Sequence, residues 1–208
     1  MKNLSFAVVV FICCIAPSTL AVAQEASTGD QKQQLRESAK SALQSARLAV
    51  KGSGESLNSK VEAHKILARD LGDSMPSDLA EGLNRELRVL QFLQRANSDV
   101  LGPIIDAEMS LVDEKNQVSI EDIDKMVRTA DLGFDQLQTA LKSKRESRQE
   151  VKKHINNIID SLIAANPGKI PTYVTVKTEL DPDMLDLEMA SQKTILASLV
   201  VVLNSLKW

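Results

Sequence analysis

The feature that most constrains the fold is a long apolar seam between Ser119 and Asn166. Apolar residues recur there in alternating steps of four and three, the spacing that keeps one side of a helix facing a partner. Ser119 is a suitable N-cap, and Asn166-Pro167-Gly168 ends the pattern. We therefore expect one very long helix over about 119–166. The seam consists of Ile123, Val127, Ala130, Phe134, Leu137, Leu141, Val151, Ile155, Ile158, Leu162 and Ala165.

Two long cations, Lys144 and Arg148, occupy seam positions in the middle of this stretch. A buried charge without a partner costs several kcal/mol. We therefore predict that this part of the helix leaves the bundle or faces water, and that changing either cation to leucine alters stability little. The pattern leaves open whether the helix breaks here.

The rest of the chain divides into further helices. Gly52-Ser53-Gly54 predicts a short connection between two antiparallel helices, and Met75-Pro76-Ser77-Asp78 predicts the start of a third. Gly102-Pro103 predicts a kink or an end. Residues 170–178 contain the one strand-like run, which we expect to be extended. The fold class is therefore all-α, an antiparallel bundle of about five helices with one short extended segment.

The last helix is predicted to begin at Asp181-Pro182-Asp183 and is apolar nearly all round between Ile195 and Leu203. Nine residues are too few to span a bilayer. Such a helix is usually the buried centre of a bundle. We expect it to be the central helix or to lie in a subunit interface, which would make a homo-oligomer through the C-terminal helix.

The first residues are typical of an export signal. Lys2 precedes an apolar run, Leu4 to Ala16, and Ala21-Val22-Ala23 is a small-x-small cleavage site. We expect a signal peptide over 1–23, cleavage near Ala23, a mobile leader over 24–30, and a single helical-bundle domain over 31–208. The predicted location is the periplasm or the extracellular space.

Composition excludes several classes of function. Both cysteines, Cys13 and Cys14, lie in the signal segment, so the mature chain has no thiol chemistry. Loss of Lys2 leaves 24 basic residues against 28 acidic ones, and an acidic chain poor in aromatics is unsuited to nucleic acid. The sequence shows no phosphate-binding loop, nucleophile elbow or metal-binding motif. We predict no catalytic residue, no metal and no cofactor.

Two groups of residues are candidate functional positions. The most charged stretch carries six cations and is a solvated helix face or a contact for an anionic partner, such as phosphate groups of an envelope surface. His64 lies on an apolar seam, where burial as the neutral form would make it a pH-sensitive core residue. The six cations are Lys142, Lys144, Arg145, Arg148, Lys152 and Lys153.

Two segments carry a recognisable pattern. The first is Ala42-Leu43-x-x-Ala46-Arg47-x-Ala49-x-x-Gly52, followed by Val61-x-Ala63-x-x-x-Leu67; the second is Pro103-Ile104-Ile105-Asp106-Ala107-Glu108-Met109-Ser110-Leu111. Both resemble the YfdX family of exported helical bacterial proteins. The resemblance covers about half the chain. It implies a non-enzymatic periplasmic protein linked to acid or drug stress that binds small molecules, and it transfers no catalytic residue.

The sequence thus predicts an exported, non-enzymatic bundle that acts by binding a partner protein or a hydrophobic small molecule. A different class remains open, a protein whose amphipathic helices bind a lipid surface through peripheral envelope contact. A metal- or cofactor-binding bundle, or an enzyme, is the third alternative.

Overall fold

A computed structural model describes residues 28–115 and 118–207. These residues contain no β-strand, so the all-α prediction is confirmed. The signal segment and residues 24–27 lie outside the described residues. The helices are α1 (Thr28–Leu71), α2 (Ser77–Arg95), α3 (Gly102–Val112), α4 (Ile120–Ser143), α5 (Arg145–Ala165), α6 (Ile170–Glu179) and α7 (Pro182–Ser205).

The helices form a bundle of four antiparallel columns. Column 1 is α1, column 2 is α2 and α3, column 3 is α4 and α5, and column 4 is α6 and α7. Each column packs against the one before it and the one after it in the chain, and column 4 returns to column 1. This is the up-down-up-down arrangement of a four-helix bundle.

The longest helix is α1, and not the predicted helix over 119–166. It runs for 44 residues, which is about 66 Å at 1.5 Å per residue. The predicted connection at Gly52-Ser53-Gly54 is wrong, because the helix continues through all three residues. Ser53 is buried and hydrogen-bonded to neighbouring helices, which compensates for the low helix propensity of its two glycine neighbours. Residues 28–30 of the predicted leader are also helical.

Column 3 breaks at Lys144, so a single helix over 119–166 is wrong. The Lys144 backbone turns to φ −109° and ψ 12°, and its N–H bonds to the Leu141 carbonyl. The apolar seam continues on both sides of the break, with Leu141 buried before it and Ile155 after it. Ser119 caps α4 as predicted, since its Oγ accepts a hydrogen bond from the Asp122 N–H at 3.1 Å.

The predicted extended segment over 170–178 is helix α6. Its β-branched residues favour a strand locally. Tyr173, Val176 and Leu180 nevertheless recur at three- and four-residue spacing and are buried in the core of the bundle. Tertiary packing of this stripe therefore overrides local propensity.

Gly102-Pro103 neither ends nor breaks column 2. A π-helical segment, Ala96–Leu101, joins α2 to α3, and the Gly102 N–H bonds to the carbonyl of Asn97, five residues back. The wider turn accommodates Pro103, which has no N–H and whose ring would clash with the preceding turn of a regular helix.

The interior has two apolar clusters at different heights along the bundle. The larger one lies among α1, α2, α3, α4 and α7 and includes Leu43, Ile104 and Ile123. The smaller one lies among α1, α2, α5 and α6 and includes Leu67 and Tyr173. Helix α7 is capped by the Asp181 side chain as predicted and packs along both α1 and α4. None of the helices in 28–115 and 118–207 is long and apolar enough to cross a membrane.

Candidate functional site

A group of buried polar side chains crosses the bundle, partly within the larger apolar cluster and partly where it meets the smaller one, and we call it the polar belt. All four columns contribute to it, and its members come from positions far apart in the chain. The buried members are Ser53, Lys60, Glu86, Asn97, Arg148 and Gln192, and the partly exposed carboxylates of Glu179, Asp186 and Glu188 are their partners.

The uncharged part of the polar belt is centred on Gln192, which has no exposed surface. Its Nε2 donates to the Asn97 Oδ1 at 2.9 Å and to the Leu93 carbonyl at 3.0 Å. Asn97 in turn donates from Nδ2 to the Ser53 Oγ at 3.2 Å. Asn97 belongs to the π-helical segment. The local widening of column 2 thus places an amide in the core.

A buried lysine links column 1 to column 4. Lys60 is only 2% exposed. Its Nζ lies 3.1 Å from the Glu179 Oε2 and 3.6 Å from the Glu188 Oε1. Ser56 and Ser53 donate hydrogen bonds to the same Glu188 carboxylate. The positive charge of Lys60 in column 1 is therefore neutralised by carboxylates of column 4.

A buried arginine links columns 2, 3 and 4. Arg148 donates from Nε to the Glu86 Oε1 at 2.9 Å, from Nη1 to the Asp186 Oδ1 at 2.8 Å, and from Nη2 to the Pro182 carbonyl at 2.6 Å. Burial raises the pKa of the Glu86 carboxyl, and the positive charge of Arg148 opposes that rise. The prediction that Arg148 faces water is therefore wrong, because the fold supplies partners for all three of its donor groups.

The other predicted cations do not form one site. Lys142, Lys144, Arg145 and Lys153 are exposed. Lys152 is half-buried and pairs with Asp181 and Asp183 at 2.8 Å each, and these bonds raise its pKa. Only the four exposed cations are placed to meet a partner.

His64 is buried, as its seam position predicts. Its Nδ1 lies 2.8 Å from the Lys60 carbonyl, so Nδ1 donates, while Nε2 is buried without a hydrogen-bond partner. Burial lowers the pKa of His64 below 6.5, and the bond to the Lys60 carbonyl opposes this effect. The pH sensitivity of the protein at this residue stays a prediction.

Glu108 is the most isolated acidic group in the interior. It has no exposed surface, and neither carboxyl oxygen has a hydrogen-bond partner. Burial raises its pKa to about 8. No charged group among the described residues contributes to this rise in pKa, whose cause is burial alone. Glu108 is therefore protonated and uncharged at neutral pH. It lies in the apolar core as a neutral carboxyl group without a hydrogen bond.

Sequence reasoning missed Lys60, Glu86, Glu108 and Gln192. Each stands on an apolar seam with buried residues three or four positions away, as Gln192 does between Met189 and Ile195. A polar residue at such a position is the signal that could have found them, and the same signal did identify His64.

The outer face of α7 has a different character from the interior. It consists of exposed, uncharged residues that recur every three or four positions, and Leu187 and Val201 on it are each 60% exposed. The exposed faces of neighbouring α1 and α4 carry many charges, among them Lys51, Glu55, Lys125 and Asp131. The members of this face are Leu187, Ala190, Thr194, Ala197, Val201 and Asn204.

Fold and site together define a class, an antiparallel four-column helical bundle with a charged layer through its core. Within residues 28–115 and 118–207, no three His, Cys, Asp or Glu side chains are grouped so that they could hold a metal ion. Comparisons with protein-family models, curated proteins and solved structures found no match to this chain. The YfdX resemblance stays a prediction.

Proposed function

We propose that this is an exported, non-enzymatic bundle protein that acts by binding another protein through the outer face of α7. The observation that carries the proposal is the absence of charge on that face from Leu187 to Asn204, although the exposed faces of the neighbouring helices α1 and α4 are charged. Contiguous apolar surface surrounded by polar residues is typical of interaction sites. Removing the apolar side chains of Leu187 and Val201 from water would contribute favourable free energy to the binding of a partner.

The polar belt supports a structural role more than a chemical one. Its charged groups pair with each other across column interfaces, and buried pairs of this kind hold a packing arrangement in place. Export to the periplasm or the medium belongs to the proposal through the signal-like residues 1–23, as does a role in envelope stress through the YfdX resemblance. A hydrophobic small molecule held between helices is the alternative ligand.

The experiment is site-specific photo-crosslinking in cells that produce the full chain. A photoreactive amino acid at Leu187 or Val201 should give covalent adducts with another polypeptide. The matched control is Leu132 on α4, which is also 60% exposed but lies among charged residues. Equal adduct yields at all three positions, or none at any, would count against the proposal.

A lipid surface is the second candidate, favoured by the exposed cations Lys142, Lys144, Arg145 and Lys153. Vesicles containing anionic lipid should then retain the protein, and changing these four residues to glutamine should release it. Retention that persists in the variant, or that is absent from the unchanged protein, contradicts this candidate.

A further inference from the structure

We infer that the outer face of α7 binds the same face of a second copy of this chain, with the two α7 helices antiparallel about a two-fold axis at Thr194. The inference rests on the proposed function, since it names the partner of that face. A two-fold interface is self-complementary, so that each residue contacts on the partner copy the residue that contacts it in return.

The side chains along the face suit this symmetry. Leu187 and Val201 lie equally far from Thr194 along the helix, so each large side chain meets the other one across the axis. Between them stand the small residues Ala190, Ser191, Ala197 and Ser198. Large residues at both ends and small ones in the middle let two helices approach closely at the axis and interdigitate beyond it.

Three of the hydroxyl groups on this side of α7 already have a hydrogen-bond partner within the helix. Thr194 Oγ1 donates to the Ala190 carbonyl at 2.9 Å, Ser198 Oγ to the Ile195 carbonyl at 2.6 Å, and Ser205 Oγ to the Val202 carbonyl at 2.6 Å. A buried polar group is costly when it is left without a hydrogen bond. These three groups keep theirs when water leaves the face, so a second copy can cover them without that cost.

The charges at the ends of α7 favour the antiparallel arrangement. Asp181 and Asp183 stand at the amino end, where both pair with Lys152 of the same chain. Lys207 stands just past the carboxyl end, where it pairs with Asp124. Asp181 and Lys207 are equally far from Thr194 along the chain. An antiparallel pair therefore brings each lysine, still partly exposed beside Asp124, to the acidic end of the other copy, where Asp183 is also exposed. A parallel pair would place like charges together, which is unfavourable.

Disulfide trapping tests the arrangement. Cys13 and Cys14 are the two cysteines of the chain, so changing both to alanine gives a background without cysteine. Leu187→Cys mixed with Val201→Cys should give a disulfide-linked dimer, whereas either variant alone should give much less. If each variant instead links readily to itself and the mixture adds nothing, the copies are parallel and the proposed axis is wrong. Leu132→Cys should stay monomeric as the control for random collision.

Sedimentation of the reduced protein tests the association itself. Leu187→Glu and Val201→Glu should each weaken self-association by about tenfold or more, because an interface charge without a partner costs more than the free energy that a tenfold change in Kd represents. Leu132→Glu should leave self-association unchanged. Circular dichroism of each variant checks that the exposed substitution has not altered helicity.

The outcomes separate this inference from the function on which it rests. A chain that is monomeric at every concentration while photo-crosslinks at Leu187 reach a different protein refutes the second copy and leaves the binding face in place. A monomeric chain with no adduct at Leu187 or Val201 refutes both.

Discussion

At the scale of single residues, the effect of a charged side chain on stability depends on partners from distant parts of the chain. Arg148 is buried and Lys144, four residues earlier on the same predicted seam, is exposed. The partners of Arg148 stand 62 and 38 residues away in sequence, at Glu86 and Asp186. No local pattern around Arg148 contains this information.

Arg148→Leu should therefore be strongly destabilising. Removing one member of a buried ion pair leaves the other charge without a partner, at a cost of about 3–5 kcal/mol. Lys144→Leu should change the free energy of unfolding by less than about 0.5 kcal/mol, because surface changes away from special features usually do. Urea unfolding of the two variants measures both. Similar losses in both variants would mean that Arg148 makes no special contribution.

His64 should make stability fall on mild acidification. Its folded pKa lies below 6.5, so below that pH the unfolded chain binds a proton that the folded protein does not. The stability is thus fully present above pH 6.5 and declines as the pH falls towards the folded pKa. His64→Leu should flatten this part of the curve of unfolding free energy against pH. His154→Leu, at an exposed histidine beside Asp78, is the control; a curve that His64→Leu leaves unchanged would contradict the prediction.

Glu108 should give the opposite dependence. Its carboxyl keeps a proton up to about pH 8 in the folded protein, whereas the unfolded chain releases it near 4.5. The stability linked to this proton is fully present below pH 4.5 and is lost as the pH rises through about 8. Glu108→Leu should therefore stabilise the protein more at pH 8 than at pH 4.5, by about 1.4 kcal/mol for each unit by which the pKa is raised. Thermal unfolding of the variant at both pH values is the measurement, and a stabilisation that does not vary with pH would refute the assignment.

At the scale of helices, one close approach depends on a glycine. A Cβ at Gly82 in α2 would lie 2.6 Å from the Val151 Cγ2 in α5, closer than side chains pack. Valine is branched at Cβ and cannot easily turn away. Gly82→Ala should therefore destabilise the bundle by about 1–3 kcal/mol.

The control for this prediction is Gly133 in α4, where an added Cβ meets nothing within 4 Å. Gly133→Ala should stabilise the protein by up to about 1 kcal/mol through helix propensity alone. Adding Val151→Ala to Gly82→Ala should recover part of the loss. If both glycine variants gain stability in urea unfolding, α2 and α5 are not in close contact.

The sequence predicts the helices better than it predicts where they break. Seam spacing identified helical segments correctly, and the caps at Ser119 and Asp181 fall where predicted. Gly52-Ser53-Gly54 and residues 170–178 were misjudged, because local propensity favours a turn and a strand there while contacts with other columns favour helix. Of the candidate site, His64 could be found from its seam position, but the pairs of Lys60 and Arg148 could not.

At the scale of the whole molecule, α7 should be indispensable. It buries Ile195, Leu196, Leu199, Val202 and Leu203 against the other columns, and each such side chain contributes about 1.5–3 kcal/mol before entropy is counted. That total is comparable to the net stability of a whole domain, about 5–15 kcal/mol. Truncation after Ala190 should give an unfolded or aggregating chain.

Circular dichroism and size-exclusion chromatography measure the effect, with truncation after Leu206 as the control that keeps α7. The intact protein should be strongly helical without lipid. A truncated chain that stays soluble, together with an intact protein that becomes helical only with vesicles, would favour the lipid-surface class instead.

The polar belt also has a consequence for alignment between columns. Apolar seams that repeat every three or four residues fit a neighbouring column almost as well after a shift of seven residues. They therefore determine which faces of the columns pack together, but they hardly determine the register of one column against the next. Lys60 with Glu179 and Arg148 with Glu86 occur once along each seam. A slide by two turns would separate both pairs and leave the buried charges of Lys60, Glu86 and Arg148 without these partners. The belt thus acts as a register mark that makes one alignment of four repetitive columns far more stable than its shifted alternatives.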